Sequence, residues 1–194
     1  MKRDIILAGV GGQGILTIAA AIGTAAVNKK LYIKQAEVHG MSQRGGDVQS
    51  NLRISDKPIH SDLITIGGAD IILSVEPMEA LRYLPYLNES GYVITNVKPF
   101  KNIENYPEEQ KVMEQIEALD NKIAINADKI AKEDIGSARA SNIVMLGAAA
   151  PFLGFELDEL ETAIKTLFGR KGEKIVNMNI DALYAGNKFA MENK

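Results

Sequence analysis

A glycine-rich turn near the start of the chain constrains its fold more than any other feature. The apolar run Ile5–Ala8 is followed by the letters GVGGQG, Gly9–Gly14, and then by a stretch rich in alanine and apolar residues, Ile15–Val27. A short strand, a glycine turn and a helix in this order begin a β-α-β unit. Glycines before a helix also leave backbone N–H groups open to an anion such as phosphate. The stretch therefore predicts an α/β fold.

Strand-like and helix-like stretches alternate through the first two-thirds of the chain, and helices complete it. We predict strands at Asp4–Gly9, Leu31–Glu37, Val48–Ile54, Asp70–Val75, Gly91–Thr95 and Lys122–Asn126. We predict helices at Gln13–Asn28, from Glu76 onward, and at Pro107–Asp120, Ala127–Glu133, Asn142–Phe152, Leu157–Phe168 and Lys174–Met191. The alternating polarity of Val48–Ile54 indicates antiparallel pairing. The pattern predicts one domain, residues 1–194, of three α/β/α layers with a mostly parallel mixed sheet and a helical C-terminal third.

Composition excludes several kinds of site and partner. The 194 residues include no cysteine, which excludes a disulfide, a thiolate nucleophile and a cysteine-bound iron–sulfur cluster in this chain. They include two histidines, too few for a histidine-rich metal site. A formal net charge of −3 gives no electrostatic reason to expect nucleic acid or an anionic membrane as partner. No signal peptide is apparent, and Ile15–Val27 is too short to span a bilayer. We therefore expect a cytoplasmic protein with no metal site of its own.

The glycine turn leaves several interpretations open. Gly9–Gly14 contains the pattern G-x-G-x-x-G of dinucleotide-binding folds, which also require an acidic residue near the end of the second strand. That position falls near Ile33 or Lys34, where there is no acidic residue, and Glu37 comes late. An independent NAD(P)-linked reductase therefore stays an alternative interpretation only. The glycines can instead serve only close packing of a helix against a strand. They can also present backbone to a partner or to its ligand, as in a phosphate-binding module.

A second loop carries most of the remaining polar and glycine signals. It begins the stretch EVHGMSQRGGDVQSNLRIS, Glu37–Ser55. An arginine beside two glycines suits an anion clamp, because its planar fork then faces a backbone that allows close approach, although an exposed loop arginine with a local ion pair looks the same. No P-loop, GDG motif or nucleophile elbow occurs, so no catalytic residue is predicted. The predicted ligand- or partner-facing residues are Gly11, Gly12, Gln13, Gly14, Glu37, His39, Gln43, Arg44, Gly45 and Gly46.

Taken together, the two loops resemble the gamma-type domain of the 2-oxoacid:ferredoxin oxidoreductases. GVGGQG and EVHGMSQRGG carry the resemblance, and it extends over nearly the whole chain. SDKPIHSDL, Ser55–Leu63, and SNIVMLGAAA, Ser141–Ala150, also fit the family pattern. Within the family, His39–Gly46 is most similar to the beta subunits of the indolepyruvate branch.

The resemblance implies a division of labour between this chain and a large alpha subunit. Thiamine diphosphate, Mg²⁺ and 4Fe-4S clusters are then expected in the alpha subunit, and no cofactor is expected in this chain. The complex would decarboxylate an aryl 2-oxoacid oxidatively, with coenzyme A accepting the acyl group and ferredoxin the electrons. This chain would be inactive alone. Its two loops would lie at the C-terminal edge of the sheet, where α/β folds bind ligands, and would help to close the shared cavity.

Overall fold

A mixed sheet of six strands lies at the centre of the computed structural model, which describes residues 1–39, 45–101 and 103–194. The strands are β1 Lys2–Val10, β2 Tyr32–His39, β3 Asp47–Ser55, β4 Ala69–Ser74, β5 Leu87–Asn96 and β6 Lys122–Ile125. Their order across the sheet is β2-β3-β1-β4-β5-β6. The neighbours β1, β4, β5 and β6 pair in parallel, whereas β3 pairs antiparallel with both β1 and β2. The predicted mostly parallel mixed sheet and the antiparallel Val48–Ile54 strand are confirmed.

Helices cover both faces of this sheet. On one face lie α1 Ile15–Asn28, α4 Ala127–Glu133, α5 Ser141–Leu153, α6 Leu157–Phe168 and α7 Glu173–Asn193. The other face carries α2 Pro77–Arg82, with α3 Glu109–Glu117 packed beside it. The three-layer prediction and the helical C-terminal third are confirmed. No helix in the described ranges is long and apolar enough to cross a membrane.

Two glycines allow α5 and α7 to pack with their backbones in contact. A Cβ atom on Gly147 would lie 2.1 Å from the carbonyl oxygen of Leu183, and one on Gly186 would lie 2.0 Å from that of Val144. No side-chain carbon tolerates such a distance to a backbone atom. The two helices therefore hold their spacing only because both positions lack a side chain.

A buried ion pair joins β1 to β3. Asp4 is buried, and the Nε atom of Arg53 lies 2.7 Å from its Oδ1. Arg53 also donates to the carbonyl oxygens of Ser61 and Leu63, so it holds the loop after β3 against the sheet. Burial alone would raise the pKa of Asp4, but the hydrogen bonds from Arg53 and Lys2 outweigh that effect and hold the pKa below its ordinary value.

We expect Asp4→Asn to lower stability at neutral pH and to lower it progressively less as the solution becomes acidic. A carboxyl group whose pKa is lower in the folded chain stabilises that state fully above its unfolded pKa, about 4, and loses this contribution as the pH falls through the folded pKa. Urea unfolding of both proteins at several pH values between 7 and 3 measures the gap. Asp62→Asn, in an exposed loop, is the control. A gap independent of pH would show that the charge of Asp4 does not contribute.

Candidate functional site

The glycine turn lies where β1 and β4 end, and the side chain of Gln13 folds back into it. The Oε1 atom of Gln13 accepts a hydrogen bond from the backbone N–H of Val10 at 2.8 Å, and its Nε2 donates to the carbonyl oxygen of Val75 at 3.4 Å. Gly9 is buried below, and a Cβ atom there would lie 2.4 Å from Cγ2 of Val75. Gln13 therefore links the ends of two parallel strands, and Gly9 serves close packing.

Gly12 and Gly14 adopt backbone conformations that favour glycine. Gly14, with φ of 82°, precedes α1, and a Cβ atom on it would lie 2.5 Å from Nδ2 of Asn142. The same Nδ2 atom donates to the carbonyl oxygen of Gly14 at 3.3 Å, which joins the turn to the start of α5. Gly12, with φ of 102°, is exposed and faces open space. The turn thus combines a packed glycine with an accessible one.

The structure brings the glycine turn and the second loop together through backbone hydrogen bonds. The N–H of Gly11 donates to the carbonyl oxygen of Gly46 at 2.8 Å, and the N–H of Gly45 donates to that of Gly11 at 3.4 Å. Glu37 lines a mostly apolar cavity of about 260 Å³ on this side of the turn, together with Gly11 and Leu16. The two predicted loops therefore meet at one edge of the sheet.

Some of the predicted site residues lie outside the described part of the chain. Gln43 and Arg44 are among them, and of His39 only the backbone is described, paired with Val48 at the end of β2. Their roles, and the ligand- or partner-facing role of the other residues in the two loops, stay predictions.

A larger cavity of about 420 Å³, which was not predicted from the sequence, opens on the opposite side of the glycine turn. Its walls come from five places in the chain that meet at the C-terminal edge of the sheet. They include Gly12, Gln13, Lys98, Phe100, Arg139 and Asn142. No motif marks Lys98 or Phe100. Asn142 belongs to the SNIVMLGAAA stretch that fits the family pattern, and Arg139 lies just before it, so this stretch could have indicated part of the cavity wall.

The described walls of this cavity carry two cations and one anion. The Nζ atom of Lys98 lies 3.5 Å from Oδ1 of Asp128, whose Oδ2 accepts from the Nδ2 of Asn96 at 2.7 Å. Asp128 thus offsets one positive charge, and the exposed guanidinium of Arg139 adds a second. The start of α5 at Ser141 lies in the same wall and carries no side-chain cap, so the positive end of its dipole lies close to the cavity. This arrangement suits a phosphate or carboxylate group.

Strand order removes the direct pairing of β1 with β2 that dinucleotide-binding folds have. In dinucleotide-binding folds the ribose-binding acid ends the strand beside β1. In this chain β3 lies between β1 and β2, and Glu37 on β2 pairs in register with Ser50 of β3. The expected acidic position is thus one strand further away from the turn. Within the described residues, no group of three or more histidine, aspartate or glutamate side chains is placed to hold a metal ion.

Comparison with known proteins gives matches over nearly the full chain. The family model for pyruvate ferredoxin/flavodoxin oxidoreductase matches residues 4–189. The indolepyruvate oxidoreductase subunit IorB of Methanothermobacter thermautotrophicus is 36% identical, covering 99% of this chain and 100% of that protein. IorB of Archaeoglobus fulgidus is also 36% identical, over 100% of this chain and 98% of that protein.

The fold itself has a counterpart among solved structures. The gamma subunit of a keto/oxoacid ferredoxin oxidoreductase from Geobacter sulfurreducens superposes with a TM-score of 0.72. The superposition covers 98% of this chain and 99% of that subunit, at 24% sequence identity. This likeness supports the α/β architecture described above.

Proposed function

Because the chain belongs to the pyruvate ferredoxin/flavodoxin oxidoreductase family, we propose that it is the small subunit of an indolepyruvate-type 2-oxoacid:ferredoxin oxidoreductase. The observation that carries this proposal is the 36% identity to two indolepyruvate oxidoreductase subunits along the full chain. The hydrogen bonds of Gly11 with Gly45 and Gly46 support it, because they join the two stretches that carry the family resemblance. The position of antiparallel β3 between β1 and β2 argues against the alternative of an independent NAD(P)-linked reductase.

In this proposal, the complex decarboxylates an aryl 2-oxoacid oxidatively and transfers the acyl group to coenzyme A. Two electrons pass to ferredoxin. Thiamine diphosphate, Mg²⁺ and the 4Fe-4S clusters reside in a large alpha subunit. The sequence of the small subunit fits this assignment, because without cysteine it has no thiolate to ligate a cluster. Coenzyme A and ferredoxin are cytoplasmic reactants, so we place the complex in the cytoplasm.

The small subunit contributes binding surface rather than reacting groups. Residues 1–194 act as one domain, and the two loops at Gly11–Gly14 and Glu37–Gly46 face the partner or the shared ligands. Lys98 and Arg139 offer cationic groups to a coenzyme A phosphate or to the oxoacid carboxylate. Arg44, from the second loop, is a third candidate for the same type of contact, because its planar fork suits both anions.

Association with the large subunit tests this proposal. We expect the tagged chain to retain an untagged alpha subunit through affinity and size-exclusion chromatography, as a stable complex with equal numbers of both chains. The alpha subunit without the tagged chain controls for adhesion to the resin. In parallel, calorimetric titration of the isolated chain with NAD⁺, NADH, NADP⁺ and NADPH should show no binding tighter than about 1 mM, equivalent to about −4 kcal/mol. Failure to associate, together with micromolar dinucleotide binding, would favour the reductase.

A further inference from the structure

Glu76 is a fully buried acidic residue that the site described so far does not use. It follows β4 and caps α2, since its Oε2 accepts a hydrogen bond from the backbone N–H of Glu79 at 2.8 Å. Its other oxygen, Oε1, accepts from the backbone N–H of Phe100 at 3.3 Å and from the hydroxyl of Tyr106. One side chain therefore joins the start of α2 to two points of the connection between β5 and α3.

Capping alone does not explain a glutamate at this position. Serine, threonine, aspartate and asparagine are the usual residues at a helix N-cap, and burying a carboxyl group is costly unless hydrogen bonds compensate for it. Glutamate reaches further by one methylene, which lets the capping group also meet Phe100 and Tyr106. The described neighbour Arg82 does not neutralise it, because its Nε bonds to Glu79 at 2.8 Å. The hydrogen bonds to the β5–α3 connection thus compensate for the cost of burying the Glu76 carboxyl group.

The connection that Glu76 holds carries two walls of the larger cavity. Phe100, whose N–H bonds to Glu76, lines the cavity, and so does Lys98. On the other side of Lys98, the N–H of Val97 donates to the carbonyl oxygen of Ile125 at 3.0 Å. Lys98 is therefore held between one anchor on β6 and a second anchor at Glu76.

Tyr106 completes the second anchor. Its ring lies beside Pro77 and Pro99, around a small void of about 30 Å³. Burial and the hydrogen bond to Glu76 raise the pKa of the Tyr106 hydroxyl, so it remains a hydrogen-bond donor across the physiological range. This contact ties the far end of the connection to the same carboxyl group that binds Phe100.

We propose that Glu76 and Tyr106 form a clamp that positions Lys98 at the cavity for binding an anionic group of the ligand. Both are positioning residues that act through Lys98. The clamp itself is a property of the isolated chain, whereas its effect on catalysis rests on the proposed function. Fixing the backbone that carries Lys98 limits where its cationic side chain can reach, which lowers the entropy cost of binding; this is the benefit of preorganisation.

Hydrogen exchange of the isolated chain tests the clamp without any enzymatic assay. We expect Tyr106→Phe to accelerate amide exchange across 97–101 by about tenfold, since one hydrogen bond to a carboxyl group is lost. Tyr184→Phe is the matched control: it removes a hydroxyl that bonds to Glu161 at 2.7 Å, between α6 and α7. Unchanged exchange in Tyr106→Phe, or equal acceleration in the control, would overturn the clamp.

A double-mutant cycle in the assembled enzyme tests whether the clamp acts through Lys98. We expect Tyr106→Phe and Lys98→Met each to raise the KM for coenzyme A or for the 2-oxoacid, with little change in kcat. In the double variant, Tyr106→Phe should add nothing to the effect of Lys98→Met, because the residue that it positions is gone. Additive effects, or a loss confined to kcat, would overturn this part of the proposal. An inactive parent complex would count against the proposed function, while the exchange experiment would still decide the clamp.

Discussion

Gly147→Val should leave the chain largely unfolded at 37 °C. Even the Cβ atom of the new side chain would overlap the carbonyl oxygen of Leu183, so α5 and α7 have to separate along their contact. Separating the two helices should lower the free energy of unfolding by more than about 4 kcal/mol, which is a large part of the 5–15 kcal/mol of a typical domain. Circular dichroism during thermal unfolding measures the effect. The near-ultraviolet signal then reports tyrosine and phenylalanine packing, because the chain has no tryptophan.

Gly169→Ala is the matched control for this glycine. Gly169 has helical backbone angles, and a Cβ atom there meets nothing within 4 Å. We therefore expect the melting temperature of Gly169→Ala to stay close to that of the parent. A Gly147→Val protein that melts like the parent would show that α5 and α7 are not packed as closely as described.

Arg139→Ala should reduce kcat/KM of the assembled enzyme by about thirtyfold while the isolated chain keeps its stability. The exposed guanidinium lies in the wall of the larger cavity, where a charge-assisted hydrogen bond to a phosphate or carboxylate contributes about 2 kcal/mol. Steady-state kinetics with each substrate varied in turn measures the loss and shows which ligand Arg139 meets. Arg139→Lys should recover only part of it, because lysine keeps the charge but not the planar fork.

Arg170→Ala is the control that shows whether the effect of Arg139→Ala comes from a contact in the cavity or only from the loss of one positive charge. Arg170 is also an exposed arginine, but it lies in the turn between α6 and α7, outside the walls of the cavity. Its removal should leave kcat/KM unchanged. If Arg139→Ala behaves like Arg170→Ala, the larger cavity does not receive an anionic ligand.

Local patterns predicted the elements well, because each depends on neighbouring residues. The alternation in Val48–Ile54 indicated an antiparallel strand, and the structure shows Val48, Leu52 and Ile54 buried on the side of α1. The predicted strand Gly91–Thr95 is longer in the structure, where β5 begins at Leu87. The additional residues are Leu-Asn-Glu-Ser, and because three of them are polar, this stretch does not show the apolar pattern of a strand.

Long-range features were harder to predict, because they depend on which strands become neighbours. Nothing local indicates that β3 inserts between β1 and β2, yet this order removes the direct β1–β2 pairing of a dinucleotide-binding fold. The larger cavity has the same origin, since Lys98 and Arg139 lie far apart in sequence and line one cavity only because the fold brings both to the sheet edge. The inward fold of the Gln13 amide also escaped prediction, since the bond to Val75 joins residues 62 positions apart.

Anaerobic reduction of ferredoxin with indolepyruvate and coenzyme A tests whether this chain is a necessary subunit of the enzyme. The rate is measured for the large subunit alone, for this chain alone, and for the two mixed in equal amounts. We expect no turnover by this chain and a rate for the mixture at least about tenfold above that of the large subunit, a difference of about 1.4 kcal/mol in the activation barrier. A large subunit that alone matches the mixture would contradict it, because the small subunit would then take no part in the catalytic unit.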